Sequence, residues 1–339
     1  MGVDFGDVLE KKELSFSEIK GKVAVDAFNS IYQFLTIIRQ RDGTPLMDSQ
    51  GRITSHLSGL FYRTCNLLEK GIKPIYVFDG EPHELKRKTI LERKERKEEA
   101  MELYKKAREE GREEEMMKYA QRTAKLSEEQ VAESKELLGY MGAPWIQAKS
   151  EGEAQCAYMC KKGLVNAAAS QDFDSLLFGA PKLIRNLTVA GRRKLPKREM
   201  YVEVLPEEYD LQENLKRLGI TQQKLVWMGI LVGTDFNEGI FGIGPKKALK
   251  LIQQFNSFED IQYAIKQKME WETLENIFLK PETVEINKEE LEFKRPQRDK
   301  ITKFMCSEHD FSHERVESAL EKAFKEPLES EQSSLTKWF

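Results

Sequence analysis

Short apolar runs alternate with helix-like patterns through the first two-thirds of the chain. Two runs rich in Val, Ile and aromatic residues predict strands: "KVAVD" (22–26) and "IKPIYVFDG" (72–80). Weaker strand candidates are "NAAAS", "KLIRNL" and "EMYVEV". Apolar spacing typical of helices occurs in "NSIYQFLTIIRQ", "ITSHLSGLFYRTCNLLEKG" and "EGEAQCAYMCKKG". Alternating strands and helices predict an α/β fold with a mostly parallel central sheet flanked by helices, which binds ligands beyond the carboxyl ends of its strands.

Residues 84–129 break this alternation. The segment mixes 14 basic residues with 13 acidic ones and has few apolar anchors. Two interpretations stay open here: a solvated pair of charged helices, or a mobile basic insertion beside an active site. After residue 219 the pattern is mainly helical, and it includes "GIFGIGPKKALKLIQQF", a glycine-rich turn that opens a basic helix.

Composition narrows the class of protein. A chain of 339 residues with 40% hydrophobic and 33% charged residues can bury a large core, and a net charge of −3 neither favours nor excludes nucleic acid. Four scattered cysteines do not make a disulfide framework, and Cys156 and Cys160 are better explained as buried thiols than as zinc ligands. No apolar run approaches 18 residues and "MGVDFG" is not a signal peptide, so we expect a cytoplasmic protein.

Seven acids are candidates for a shared site, and six of the seven follow apolar runs or begin a helix: Asp26, Asp79, Glu151, Glu153, Asp172, Asp174 and Asp235. A single acid in such a place is more often a helix cap or a turn residue. Asp172 and Asp174 are two residues apart, so they would point the same way if "SQDFD" were extended. Seven converging acids would repel one another unless cations of high charge lay between them.

The chemistry of such a cluster is that of hard metal ions. Oxygen ligands without nearby His or Cys suit Mg²⁺ or Mn²⁺. Two ions about 4 Å apart stabilise the attacking and leaving oxygens of phosphodiester hydrolysis. The four histidines fit no catalytic motif, and HExxH, GxSxG and the P-loop pattern are missing from the sequence. A hydroxide activated by metal, not a side chain, is therefore the predicted nucleophile.

Over nearly its whole length the sequence resembles the flap endonucleases, structure-specific 5′ nucleases of DNA replication and repair. The matching stretches are "VDAFNSIYQFL", "TSHLSGLFYRT", "GIKPIYVFDG", "SEGEAQCAYM", "SQDFDSLLFG", "LVGTDFNEGIFGIGPKKA" and "QSSLTKWF". The resemblance implies 5′-flap endonuclease and 5′–3′ exonuclease activity at single-strand/duplex junctions, in Okazaki-fragment processing and base-excision repair. It also implies two Mg²⁺ ions, with Mn²⁺ as a substitute, branched DNA with a 5′ flap as substrate, and a monomeric protein.

The resemblance assigns roles to individual residues. The seven acids become the metal site, and Lys86 and Arg93 become cations of a helical arch that contact the scissile phosphate. Tyr32 becomes the aromatic that stacks near the cleaved nucleotide, although the residues alone equally allow ordinary helix core. "FGIGPKK" resembles a helix–two-turns–helix element that grips duplex DNA and holds K⁺. The predicted DNA-binding residues besides Tyr32 are Gly2, Arg39, Arg63, Gly242, Gly244, Lys246 and Lys247.

Four regions follow from the same resemblance. Residues 1–98 and 116–258 form one nuclease core with the arch at about 82–130, residues 259–330 form a helical part, and residues 331–339 form a tail that binds the sliding clamp, proliferating cell nuclear antigen. The tail carries the clamp-binding spacing in Gln332, Leu335, Trp338 and Phe339. Docking of these aromatics on the chain's own core is the alternative. The lack of a basic extension after Phe339 suggests an archaeal-type protein.

Three other functions fit the sequence less well. A bubble- or junction-cutting nuclease of the same superfamily is disfavoured by the compact spacing between Asp79 and Glu151. A non-catalytic DNA-binding adaptor is disfavoured by the complete set of acids, because unused acids near DNA would only repel phosphate. A metal-dependent phosphatase would leave the basic arch and "GIGPKK" without a purpose.

Overall fold

The computed structural model describes residues 3–40, 42–188, 192–194 and 201–324. Gly2 and the predicted clamp-binding residues of the tail lie outside these ranges. The strands are β1 Lys12–Glu13, β2 Gly21–Asp26, β3 Ile72–Phe78, β4 Trp145–Gln147, β5 Ala167–Ala169, β6 Lys182–Arg185, β7 Arg192–Lys194, β8 Tyr201–Glu203 and β9 Glu207–Asp210.

The helices of the first two-thirds of the chain are α1 Ala27–Ile37, α2 Ser55–Glu69, α3 Arg87–Glu109, α4 Glu113–Arg122, α5 Glu128–Tyr140, α6 Gly152–Lys161, α7 Asp174–Leu177 and α8 Leu211–Leu218. Those of the remainder are α9 Gln222–Val232, α10 Pro245–Gln254, α11 Phe258–Ile265, α12 Trp271–Leu279, α13 Arg298–Thr302 and α14 His313–Ala323. Short 3₁₀ turns cover Glu84–Lys86 and Lys288–Leu291, and Lys303–Glu308 is π-helical. None of the described helices is long and apolar enough to cross a membrane.

The central sheet has seven strands in the order β1-β9-β6-β5-β2-β3-β4. The five strands from β6 to β4 run parallel, whereas β9 pairs antiparallel with β6 and β1 antiparallel with β9. The predicted mostly parallel sheet is therefore confirmed. The weak strand candidate "EMYVEV" contributes β8, which pairs with β7 outside the main sheet.

Both faces of the sheet are covered, which explains why its central strands are continuous apolar runs. Side chains of β2 alternate between two cores: Ala24 belongs to one, and Val23 and Val25 belong to the other. The first core is completed by α6, α7 and α9, and the second by α1, α2, α5 and α14. Cys156 and Cys160 on α6 are buried free thiols, as the sequence indicated.

The parallel strands end at one edge, and this edge collects the acids. Asp26 is the last residue of β2 and Asp79 follows β3 directly. The loop after β3 lies tightly against the segment before α6, since the Gly80 amide donates to the Ser150 carbonyl at 2.6 Å. A Cβ on Gly80 would lie 2.3 Å from the Lys149 carbonyl oxygen, so only glycine fits this close approach.

Residues 84–129 fold as charged helices beside the sheet edge. Of the 23 residues of α3, Ala100 and Ala107 are buried. α3 packs against α4, and α4 packs against α1. The prediction of a pair of charged helices is therefore confirmed. The segment also lies beside the acids, as the alternative predicted, because Lys86 pairs with Glu151 and Arg93 with Asp235.

Candidate active site

All seven predicted acids lie within electrostatic reach of one another at the carboxyl edge of the sheet. Asp79 interacts with Asp26, Glu151 and Asp235, and Glu153 interacts with Asp174 and Asp172. We call this set of seven the acidic edge. The sequence placed six of the seven after an apolar run or at a helix start, but only the fold brings them together.

Asp26 and Asp172 are joined through Asn29. Asp26 caps α1 by accepting from the Asn29 amide at 2.9 Å, and the Asn29 side chain donates to Asp172 Oδ2 at 3.0 Å. The Asn29 side-chain oxygen also accepts from the Gln171 amide at 3.3 Å. Sequence analysis did not single out Asn29. Its position in the first turn of the helix that Asp26 caps is the signal that could have identified it.

Asp79 and Glu151 meet because α6 begins beside the end of β3. Asp79 Oδ1 accepts from the Gly152 amide at 2.7 Å. A Cβ at Gly152 would lie 2.6 Å from that same oxygen, so glycine is required for this contact. Glu151 is the N-cap residue of α6 and Glu153 lies in its first turn, where the helix dipole favours negative charge.

Asp174 and Glu153 are neighbours in the acidic edge, and the charge of Asp174 opposes the ionisation of Glu153. Asp174 starts α7 and accepts from the Val3 amide at 3.0 Å. Ser175 Oγ donates to Glu153 Oε1 at 3.4 Å. The expectation that "SQDFD" is extended is wrong, because β5 ends at Ala169 and the chain bends into α7. This bend separates Asp172 from Asp174, which begins α7.

Lys86 and Arg93 supply positive charge to the acidic edge. Lys86 Nζ forms an ion pair with Glu151 and lies 3.6 Å from Asp235 Oδ2. Arg93 donates to Asp235 Oδ1 at 2.5 Å. The predicted shared face is thus observed, although Lys86 belongs to the 3₁₀ turn that precedes α3. Thr89, between them, donates to the Asp235 backbone carbonyl at 3.0 Å.

Burial and mutual repulsion raise most of the carboxyl pKa values. Burial and the Asp79 charge raise the pKa of Asp26 well above its usual range, and burial and Asp174 do the same for Glu153. The pKa of Asp79 rises to about 6, through burial and Glu151, and that of Asp174 to about 7, through burial and Asp235. Burial and neighbouring carboxylates thus disfavour the ionised forms of these groups, and nearby positive charge favours them.

Asp235 shows what such positive charge does. Burial would raise its pKa, but Lys86 and Arg93 outweigh burial and lower it. Burial likewise opposes the charge on Lys86, yet Glu151 and Asp235 raise its pKa. Asp235 follows the end of α9 rather than a strand, so a helix delivers it to the edge that the strands define.

The donor set suits hard divalent ions. All seven side chains offer carboxylate oxygens, and burial raises the pKa of the neighbouring Cys156 thiol, which keeps it protonated. Across the described ranges, no three His, Cys, Asp or Glu side chains are arranged as a ready-made metal site. Lys86 and Arg93 lie among the acids in this arrangement, and they provide the balancing charge.

The predicted DNA-binding residues of α1 and α2 are in different surroundings. Tyr32 is half-buried on α1, with the Lys97 ammonium of α3 4.8 Å from its ring centre. Arg39 donates to the carbonyls of Leu35 and Gly43 at 3.0 and 2.8 Å. Burial lowers the pKa of Arg63, whose neighbours include Tyr76. Tyr32 thus lies close enough to the acidic edge to interact with Asp79, whereas Arg39 makes its hydrogen bonds to nearby backbone.

Two successive turns connect α9 to α10, and we call residues 233–244 the two-turn segment. The first turn is closed by hydrogen bonds between Thr234 and Asn237, and the second by the Ile243 amide donating to the Ile240 carbonyl at 3.0 Å. Gly244 is the N-cap of α10. The predicted residues Lys246 and Lys247 lie exposed in the first turn of that helix.

Comparison with known proteins agrees with this geometry. Residues 7–100 match the XPG N-terminal domain and residues 142–235 match the XPG I-region. The flap endonuclease 1 of Pyrococcus horikoshii is 52% identical over 100% of this chain and 98% of its own length. The chain belongs to the flap endonuclease 1 family. Its members are nucleases that hydrolyse phosphodiester bonds of DNA, so the predicted family and enzyme class are confirmed.

Solved structures agree with the flap endonuclease assignment. The Methanococcus jannaschii flap endonuclease-1 superposes with a TM-score of 0.75 at 42% identity, covering 96% of this chain and 98% of that one. The catalytic core of Rad2 in complex with a DNA substrate superposes with a TM-score of 0.66 at 25% identity, covering 94% and 97%. The α/β fold expected of a flap endonuclease is therefore confirmed.

Proposed function

We propose that this chain cuts 5′ flaps at the junction of single-stranded and duplex DNA, and removes nucleotides from 5′ ends, with two Mg²⁺ ions. One observation carries the proposal: seven carboxylates from separate elements converge at one sheet edge, where two cations of the α3 region reach them. Okazaki-fragment processing and base-excision repair are the cellular roles that follow from family membership.

The acidic edge would hold the metal ions. Its donors are the oxygens of Asp26, Asp79, Glu151, Glu153, Asp172, Asp174 and Asp235. A pair of Mg²⁺ ions, or Mn²⁺ in their place, supplies stabilisation of the charge on the attacking and leaving oxygens of a phosphodiester. The chain's own contribution is placement: Asn29, Gly152 and Val3 hold Asp172, Asp79 and Asp174 in fixed orientations through hydrogen bonds.

Lys86 and Arg93 would bind the scissile phosphate. Both form ion pairs with carboxylates at this edge, and Lys86 lies within ion-pair distance of two of them. A cation held on the reacting phosphate lowers the barrier because negative charge develops there in the transition state. Tyr32 would stack on the nucleotide beside that phosphate, since its half-buried ring lies next to Lys97.

The two-turn segment and the start of α10 would hold the duplex by its phosphates. Gly242 needs glycine because its φ is +78°. A Cβ on Gly244 would meet nothing within 4 Å, so the space in front of this backbone is open to a phosphate. Lys246 and Lys247 add charge, and K⁺ bound by the turns would add more. Arg39, Arg63 and Gly2 remain proposed DNA contacts.

The test of this function is a comparison of substrates. A 5′-labelled flap duplex, a blunt duplex and a single strand are each incubated with the protein, with and without Mg²⁺. We expect rapid cleavage near the flap junction only when Mg²⁺ is present. The blunt duplex should be shortened more slowly from its 5′ end, and the single strand should react little. Equal rates on all three substrates would contradict junction specificity.

We also propose that residues 332–339 bind a sliding clamp, through Gln332, Leu335, Trp338 and Phe339. The support is the spacing of these residues, in which one helical turn brings Leu335 and Trp338 to the same side. Calorimetry of the full chain and a chain ending at residue 331, each against the cognate clamp, tests it. We expect clamp binding to be lost and flap cleavage without clamp to be kept.

That the protein is cytoplasmic and monomeric remains a prediction.

A further inference from the structure

The two-turn segment carries an exposed aromatic side chain, Phe241, to which the proposed function gives no role. Phe241 is exposed to 105% of its reference surface, more than any other large hydrophobic side chain in the described ranges. An isolated exposed apolar residue is common and needs no explanation. Phe241 differs because its backbone is held rigidly and its surroundings are basic.

The backbone at Phe241 is fixed from both sides. Phe241 and Gly242 occupy the centre of the turn closed between Ile240 and Ile243, and the positive φ of Gly242 is typical of a type II turn. Ile240 and Ile243 are both buried, and the Ile240 amide donates to the Leu231 carbonyl at 2.9 Å. These anchors point the Phe241 side chain outward, so little ordering is left for a partner to impose.

The neighbourhood of Phe241 is positively charged. Lys246, Lys247 and Lys250 follow on the exposed side of α10, and Lys247 Nζ lies 3.4 Å from the carbonyl oxygen of Gly242. The acids near this region are already paired, Glu238 with Lys88 and Asp7 with Lys246. An aromatic ring among lysines fits a partner that offers both phosphates and an apolar surface, which is the description of nucleic acid.

We propose that Phe241 contacts duplex DNA directly, with its ring packed against the deoxyribose surface of the minor groove beside the phosphates that Lys246 and Lys247 bind. This inference rests on the proposed function, in which the two-turn segment holds the duplex. Apolar side chains often enter the minor groove next to phosphate-binding residues. The contact would add affinity that does not depend on salt, since it displaces no counterions.

Salt dependence separates this contact from a phosphate contact. Affinity of the full chain for 5′-flap DNA is measured without Mg²⁺ over a series of KCl concentrations. We expect Phe241→Ala to bind roughly tenfold more weakly at every concentration, because about one buried aromatic ring is lost, with an unchanged slope of log affinity against log salt. Phe241→Leu, which keeps apolar surface, should lose less.

The control is Tyr263→Ala, since Tyr263 on α11, 88% exposed, is the next most exposed large hydrophobic side chain among the described residues. It should bind as the unaltered protein does. Wild-type affinity in Phe241→Ala, or a slope reduced by roughly 0.9, would overturn the proposal, because the ring would then be idle or act through a phosphate contact. Single-turnover flap cleavage at saturating enzyme separates failure of the Phe241 contact from failure of the proposed function. If Phe241→Ala cleaves flaps and binds them with unchanged affinity, the contact is refuted and the proposed function stands.

Discussion

The acidic edge and the two-turn segment both face the proposed DNA, but they are built in opposite ways. The acidic edge gathers buried and half-buried acids from five separate stretches of chain, and burial together with mutual repulsion raises the pKa of Asp79 and Asp174. The second turn of the two-turn segment and the start of α10 form one continuous stretch, in which Phe241, Gly242, Gly244, Lys246 and Lys247 are exposed. Catalysis at a phosphate requires charged groups that are held in fixed positions around the developing charge. Grip on a duplex requires accessible charge spread along a surface.

This comparison predicts a division of effects. Substitutions at the acidic edge should change the rate of the chemical step and leave affinity nearly intact. Substitutions in the second turn, from Phe241 to Gly244, and at Lys246 and Lys247 should change affinity and leave the rate on bound substrate nearly intact.

The largest effect is expected for Asp172→Asn. The amide has nearly the same shape but removes a charge from the metal-binding set, so single-turnover cleavage at saturating Mg²⁺ should fall on the order of 10³-fold. Flap affinity should stay the same or increase, because one negative charge near phosphate is removed. The matched control is Asp299→Asn, an exposed acid on α13. Near-normal cleavage by Asp172→Asn would contradict the metal assignment.

The next largest effect is expected for Lys86→Ala and Arg93→Ala. Each should slow the chemical step about 10²-fold, while affinity changes by less than about fivefold, since the charge acts mainly in the transition state. Lys88→Ala and Arg96→Ala are matched controls, because these cations of α3 pair with Glu238 and Glu92 outside the acidic edge. A loss confined to affinity would make Lys86 and Arg93 general DNA contacts.

A smaller effect is expected for Asn29→Ala. Loss of its hydrogen bond should loosen Asp172 without removing any charge, so we expect a roughly tenfold slower reaction and a higher Mg²⁺ concentration for half-maximal rate. Thermal unfolding should change little. A normal Mg²⁺ requirement together with a lower melting temperature would mean that Asn29 only stabilises the fold.

The smallest effect, and the one that tests the other region, is expected for the double change Lys246→Ala and Lys247→Ala. Each lost phosphate contact should reduce the slope of log affinity against log salt by roughly 0.9. The rate on fully bound flap DNA should stay near normal. An unchanged slope would show that the start of α10 does not touch DNA, and the contrast between the two regions would fail.

Much of the fold could be predicted from the sequence. The strands at "KVAVD" and "IKPIYVFDG" and the helices α1, α2 and α6 form where local apolar patterns placed them. The antiparallel strands β1 and β9 were not predicted, because their few residues are mostly charged and carry no alternating apolar pattern. The local conformation of "SQDFD" was mistaken for the same reason: a short bend before α7 leaves no periodicity to detect.

The sequence by itself determined which chemistry this protein has available: an all-oxygen donor set, a basic segment and a glycine–lysine turn, each recognisable from residue types and local spacing. Only the tertiary structure decided which acids share a partner, since Asp26, Asp172 and Asn29 meet across 143 residues of chain. The reason is physical. Helix and turn preferences depend on near neighbours, whereas pKa values and ion pairs such as Lys86 with Glu151 depend on burial and distance, which exist only after the sheet has gathered its strand ends.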